Sequence, residues 1–370
     1  MRRKGTSILA ELRAFASWET PSGDKAAVDH MGSRVAARWT ELGGAVEIVP
    51  NERGGDHLIG RFFGESDAPP ALVLGHIDTV WPLGTLARMP VVGYGDQLRG
   101  PGVYDMKAGL AMLHAALEWL RESAIRPPRP ITALFTADEE IGSPTSRGLI
   151  ESLARESAHA LVLEPPLADG GLKTARKGVG RFTIRVEGRA AHAGVAPEQG
   201  VSAILELAHQ VIRAHDLNDA AAGTTVNVGV VRGGTTSNVV PAEAEAVVDV
   251  RATTIAAAKV VERALLSLRP ITPGAKVVVE GGFNRPPMER TPAIAALFEQ
   301  AAEIGLGLGL KLTEGSTGGG SDGNFTAAIG LPTLDGLGAF GGGAHADHEH
   351  ILISSLPERA ALLAALLLKL

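Results

Sequence analysis

Two polar side chains, His76 and Asp78, stand two residues apart in LGHIDTVWP (residues 74–82), where an apolar run ends. Alternate residues of a strand share a face, so both can serve one site while Ile77 turns back to the core. Four further places put a metal-competent side chain at a comparable position. Asp105, in GPGVYDMKAG, stands just before a helix expected to begin near Lys107. Adjacent Glu139 and Glu140 close an apolar strand in FTADEEIGS; neighbours point to different sides, so one can bind a metal while the other faces a substrate. Glu164 ends the strand ALVLE in front of two prolines, and His345 follows a glycine run in GGGAHADHEH. Read singly, each has an ordinary explanation: a polar loop, a helix N-cap, a solvated acidic turn. Together, two histidines and several carboxylates at strand exits form a donor set suited to zinc, with cobalt or manganese as substitutes. Two such ions sharing a carboxylate would lie about 3.5–4 Å apart.

The elements that must position these residues read as an α/β protein. Helical spacing over 26–42, 107–121 and PTSRGLIESLA alternates with short apolar strands at 71–75, 131–136 and 160–164. That pattern predicts a mainly parallel sheet covered on both faces, in which ligands collect beyond the carboxyl ends of the strands. From about residue 178 the pattern changes. GVGRFTIRVEGRA alternates with period two, and it is followed by a helix (198–214), strands at 224–232 and 244–251, a helix (256–269) and the strand AKVVVEGG. Strand–helix–strand–strand–helix–strand is the ferredoxin-like order. The expected organisation is therefore a larger domain, 1–177 and 286–370, interrupted by a small α+β domain at 178–285.

Composition narrows the classes of function. The 370 residues exceed one ordinary core, which favours two domains. Lys and Arg number 35 against 41 acidic residues, for a formal charge of −6, which is no footprint for nucleic acid. With no cysteine, disulfides, thiol nucleophiles and thiolate metal sites are excluded, leaving His, Asp and Glu as ligands. MRRKGTSILAELRAFASW begins basic but lacks a continuous apolar core and a small-residue cleavage site, so it reads as an amphipathic helix rather than a signal peptide. ALLAALLLKL is too short to span a bilayer and reads as a core-facing helix. A soluble cytoplasmic protein is expected, with no membrane partner.

GHIDTV, GPGVYDMKAG, TADEEIGS, LVLEP, GRAAHAG, DVR and TGGGSD follow one another in an order and spacing that resembles one family across nearly the whole chain. It is the di-zinc metallopeptidase family of glutamate carboxypeptidase, acetylornithine deacetylase and succinyl-diaminopimelate desuccinylase, and the resemblance is strongest to the glutamate carboxypeptidase branch. The resemblance implies two zinc ions per chain. His76, Asp105 and Glu164 would hold one; Asp105 would bridge to the other, completed by Glu140 and His345. HADHEHIL offers three histidines, of which His345 is favoured over His348, with His350 the least favoured. Asp78 would fix the tautomer and orientation of His76, and Glu139 would be the general base. The small domain resembles the family's lid and dimerisation domain, which implies a homodimer. There His192 would stabilise the tetrahedral oxyanion, in several relatives from the partner subunit, with Asn238 of TTSNVVP assisting. Arg251 would grip a substrate carboxylate with its planar fork, and the glycine loop with Gly319 and Gly320 would bring main-chain N–H groups to the substrate.

Two further readings stay open beside carboxypeptidase-type hydrolysis of a peptide or N-acyl amino acid. One is a dipeptidase or N-acyl-amino-acid deacylase using the same core. The other is a non-catalytic metal- or peptide-binding protein on this scaffold, against which Glu139 argues, since a binding protein has no use for a base beside a full ligand set.

Overall fold

A computed structural model describes residues 4–370, so the first three residues of the basic N-terminal stretch lie outside the described residues. The chain forms two compact units. One runs to Ala175 and resumes over Arg290–Thr317 and Ser321–Leu370; the other is Arg176–Glu289 together with Gly318–Gly320.

The first unit is built on a six-stranded sheet of β1 (Ala45–Val49), β2 (His57–Phe62), β3 (Ala71–His76), β4 (Ile131–Thr136), β5 (His159–Val162) and the short strand Thr333–Leu334. Their order across the sheet is β1-β2-β4-β3-β5 and then Thr333–Leu334. From β4 onward the pairings are parallel, whereas β1–β2 and β2–β4 are antiparallel. The sheet is thus mainly parallel, as expected, with an antiparallel edge; β1 and β2 are joined by a short loop, and a short link can only return a strand antiparallel.

Strand β3 shows why the middle of the sheet is apolar throughout. All six of its residues are buried. Ala71 and Val73 pack into a core with helices α1 (Gly5–Ala16), α2 (Lys25–Glu41), α3 (Ala108–Glu122) and the C-terminal helix Ser355–Lys369. Leu72 and Leu74 face the opposite core, against Ile150 and Leu153 of α4 (Arg147–Glu156) and Phe325. A strand covered on both faces has no wet side to mark with polar residues. Helix α2 starts where the Asp24 side chain accepts from the Ala27 N–H at 3.0 Å, an N-cap that satisfies one unpaired donor of the first turn. Helix α3 lies so close to the end of β5 that a Cβ on Gly109 would come within 2.5 Å of the Leu163 carbonyl oxygen; only glycine permits that approach.

The second unit runs β6 (Gly178–Glu187), α5 (Ala203–His215), β7 (Thr225–Gly233), β8 (Glu243–Ala252), α6 (Ile255–Leu266) and β9 (Lys276–Arg285). Its antiparallel sheet has the order β7-β8-β6-β9, the ferredoxin-like arrangement. One face of the sheet is dry: Phe182, Ile184, Val186, Ala246, Val248 and Val250 pack on Leu207 and Ala214 of α5 and Val261 and Leu265 of α6. Helix α5 begins at Ala203 rather than near 198, because Pro197–Gln199 make a separate turn and Ser202 caps the helix through the Leu205 N–H.

Candidate metal centre

Register brings the chemistry-bearing residues of the first unit to one edge. His76 pairs with Thr136 and Leu74 with Val162, so β3 and β4 end level while β5 stops two residues earlier, and whatever follows the three parallel strands shares the sheet's carboxyl end. Glu164 stands two residues beyond β5, not at its end. Glu139 and Glu140 do not close a strand either: β4 stops at Thr136, and both glutamates sit in the single turn Glu139–Ile141. The cause is Asp138, which is buried. Its carboxylate accepts from the Thr145 N–H (2.7 Å) and hydroxyl (2.6 Å) and from the Ser146 hydroxyl (2.6 Å) and N–H (3.2 Å), pulling the chain into a turn. Asp105 lies in the irregular turn Val103–Lys107 ahead of α3, which starts at Ala108, and its side chain is not a cap.

Two groups of three result. His76, Asp105 and Glu164 each offer one ligand atom within 4.8 Å of the others, and so do Asp105, Glu140 and His345. His76 Nε2 is 3.3 Å from Asp105 Oδ1 and 3.5 Å from Glu164 Oε1. His345 Nε2 is 3.3 Å from Asp105 Oδ2 and 3.1 Å from Glu140 Oε2. Asp105 thus turns one oxygen to each histidine. Donors around a tetrahedral zinc with bonds of about 2.0–2.1 Å stand roughly 3.3 Å apart, so the spacings fit such an ion in each group. Glu140 Oε1 is buried without a hydrogen-bond partner, a cost that a cation would remove. His345, not His348 or His350, reaches these groups, and it does so with φ +62°, a left-handed conformation uncommon outside glycine. The ring of His350 instead meets the His348 carbonyl at 3.0 Å.

Electrostatics points the same way. Burial is the largest influence on His76 and opposes its charging, yet Asp105, Asp78 and Glu164 together hold it well above the ordinary histidine range. Asp105, followed by Glu140, pushes His345 up to about 10. Glu140 is raised to about 7, chiefly by burial, while its bond to His345 pulls the other way. So many carboxylates around two imidazoles call for positive charge, which protons or divalent cations can supply.

Asp78 does more than orient an imidazole. The nearest acceptor to His76 Nδ1 is the Asp78 main-chain oxygen at 3.0 Å, with a carboxylate oxygen at 3.4 Å. That carboxylate accepts from the Ser22 hydroxyl (2.6 Å) and from the N–H groups of Glu139 (3.3 Å) and Glu140 (3.2 Å). Asp78 therefore ties the strand carrying His76 to the turn carrying both glutamates. Beneath that turn, Asp322 accepts from Thr136 at 2.9 Å and from Ser143. Ser22, Asp138 and Asp322 escaped the sequence reading, since nothing in their local context marks such long-range partners.

His192, Asn238, Arg251, Gly319 and Gly320 belong to the second unit. His192 and Asn238 are exposed and their segments are bonded, Ala193 N–H to the Asn238 carbonyl at 2.9 Å. The Gly194 N–H donates to His192 Nδ1 at 3.2 Å, which makes Nε2 the donor of the neutral ring. Arg251 is held along one edge by Asp249, Nε to Oδ1 at 2.8 Å and Nη2 to Oδ2 at 2.9 Å, and its Nη1 is 3.4 Å from the Gly318 carbonyl. The carbonyls of Gly319 and Gly320 both accept from Arg176 Nη1, at 3.1 Å each.

Comparison with known proteins places these sites in context. Residues 72–369 match the description of Peptidase family M20/M25/M40. Carboxypeptidase G2 of Pseudomonas sp. (strain RS-16) is 32% identical over 98% of this chain and 89% of its own length. Among solved structures, aminopeptidase PepT from Bacillus cereus superimposes with a TM-score of 0.79 at 23% identity, covering 99% of this chain and 98% of that one. The M20 family metallo-carboxypeptidase Sso-CP2 from Sulfolobus solfataricus gives 0.78 at 16% identity, covering 98% of each. At those identities the two structures speak for the fold.

Proposed function

This chain belongs to Peptidase family M20/M25/M40 and is a peptidase, and we propose that it acts as a two-metal exopeptidase, releasing an amino acid with a free carboxylate from a short peptide or N-acyl conjugate. The observation that carries this reading is the pair of ligand groups sharing Asp105, with Glu139 in the same turn as the ligand Glu140. Two zinc-class ions, for which cobalt or manganese could substitute, would polarise the scissile carbonyl and acidify a water there. In this reading His76, Asp105 and Glu164 hold one ion, and Asp105, Glu140 and His345 the other. Asp78 keeps the ligand strand and the glutamate turn in register. Glu139 takes a proton from the attacking water and returns it to the leaving nitrogen, a transfer an amide requires because its amine is a poor leaving group.

From the second unit we assign His192, through Nε2–H, and Asn238 to the developing oxyanion, and Arg251 to the carboxylate of the released amino acid. The loop with Gly319 and Gly320 is assigned to main-chain contact with substrate. Asp249 already occupies the Nε/Nη2 edge of Arg251 and the Gly318 carbonyl lies by Nη1, so a substrate carboxylate would be met by the second hydrogens of Nη1 and Nη2. The likeness to Carboxypeptidase G2 supports a carboxypeptidase-type substrate. Hydrolysis of N-acyl-glutamate, N-acyl-aspartate, acetylornithine and simple dipeptides by zinc-loaded protein tests the assignment. N-acyl-glutamate or N-acyl-aspartate is expected to be cleaved best, and preference for dipeptides with a free amino terminus would replace it by a dipeptidase reading.

The small unit is also proposed to pair two copies of the chain. Strand β7 is an edge of its sheet with Val230 and Val231 exposed, and α5 exposes Ile204, Leu205 and Ile212. A two-fold axis lets one such surface cover its own copy. Sedimentation at micromolar concentration is expected to show a dimer that Val231→Arg splits; a wild-type monomer would remove the proposal. A cytoplasmic setting with small-molecule substrates is part of the same reading. Among the described residues, no helix is long and apolar enough to cross a membrane.

A further inference from the structure

Glu349 is fully buried, and its carboxylate is surrounded by donors. Oε2 accepts from Trp81 Nε1 at 2.8 Å and from the Gly102 N–H at 3.0 Å. Oε1 accepts from the N–H groups of Tyr104 at 2.9 Å and Asp105 at 3.1 Å. The main chain of Glu349 is bound at the same place: its N–H donates to the Ala346 carbonyl at 2.8 Å, and its carbonyl accepts from Gly100 at 3.3 Å. One residue thus fastens the segment that carries His345 to the loop that carries Asp105. Gly102 takes φ +71° in that loop, and a Cβ there would meet Thr79 Cγ2 at 2.7 Å, so the loop needs both its glycine and its anchor.

We propose that Glu349 is a positioning residue of the metal centre, setting Asp105 so that its two oxygens face the two ions. This rests on the two-metal reading above. A carboxylate suits the task because all four of its partners are N–H groups, and only an ionised acid offers acceptors on both oxygens. Glutamine of the same shape presents one oxygen and one NH2, and in either orientation the NH2 confronts two donors. A buried donor left unsatisfied is costly, so the loop should shift and carry Asp105 with it.

The test separates positioning from simple support of the fold. Melting of wild type and Glu349→Gln is followed in chelator and with zinc, and zinc affinity is measured by competition with a chromophoric chelator. A ligand that binds only the folded state raises Tm by an amount that grows with the logarithm of its affinity at a given concentration. A merely structural Glu349 would lower both melting temperatures and leave the zinc-induced increment intact. The expected result is a smaller increment and a zinc affinity reduced about 10- to 100-fold, the usual cost of losing a group that orients metal ligands. Trp81→Phe removes one of the four donors and keeps the acid; it should show a smaller loss in the same direction, and it decides the matter should Glu349→Gln not fold. An unchanged increment and zinc affinity in these variants overturns the proposal. Absence of any zinc increment in wild type would instead overturn the two-metal reading.

Discussion

Glu139→Gln is expected to retain both metal equivalents and to lose about 10²–10⁴-fold in turnover, the usual worth of a general base. The substitution keeps the side chain's shape while replacing the ionised carboxylate, which can take a proton, by a neutral amide, which cannot. The main-chain bonds of the turn are untouched by it: the Glu139 N–H is held by Asp78 Oδ1 and the Glu140 N–H by Oδ2. Metal content by elemental analysis and kcat on an N-acyl-glutamate are the two readouts. Loss of turnover together with loss of metal would make Glu139 a ligand, and near-full turnover would remove it from the chemistry.

Arg251→Ala should raise KM for substrates with a free carboxylate. Hydrogen bonds to a charged group contribute about 1.5–3 kcal/mol, so kcat/KM should fall roughly 10- to 150-fold. Arg251→Lys should recover little of this, because a point charge cannot reproduce the planar fork. Asp249→Asn gives a sharper discrimination. With the Nε/Nη2 edge bound less firmly the guanidinium loses its orientation, so that variant should also bind carboxylate substrates less well. If Asp249 merely competed with substrate for the arginine, Asp249→Asn would bind more tightly. A substrate with its carboxylate amidated is the control: wild type should handle it poorly, and Arg251→Ala should lose little more on it. Equal hydrolysis of carboxylate and carboxamide by wild type would exclude Arg251 as the reader.

The family was legible because its motifs are long, ordered and spread over the chain. So was the alternation of strands and helices, since a strand buried on both faces must be apolar throughout, as in ALVLGH, and the second unit's period-two strands show one dry face. Local pattern did not reveal the antiparallel β1–β2 edge, where neither strand alternates cleanly and only the short loop between them betrays the direction. Nor could it show that Glu139 and Glu140 lie in a turn, because the residues that bend the chain there, Asp138 with Thr145 and Ser146, act through side-chain bonds. The least legible group is the set of buried carboxylates behind the site. Asp78 reaches Ser22, Asp322 reaches Thr136, and Glu349 reaches Gly102 and Tyr104, all across long stretches of sequence. Such pairings are products of the sheet register, which a single sequence read locally does not contain.

Whether hydrolysis depends on two ions held around Asp105 is decided by one titration. Zinc is added in sub-stoichiometric steps to chelator-stripped protein while cleavage of an N-acyl-glutamate is followed. Negligible activity is expected at the start, with a rise that saturates at two equivalents per chain and Asp105→Asn inactive throughout. Stripped protein that cleaves the substrate at the full rate, with no response to added zinc, would rule out a two-ion hydrolase.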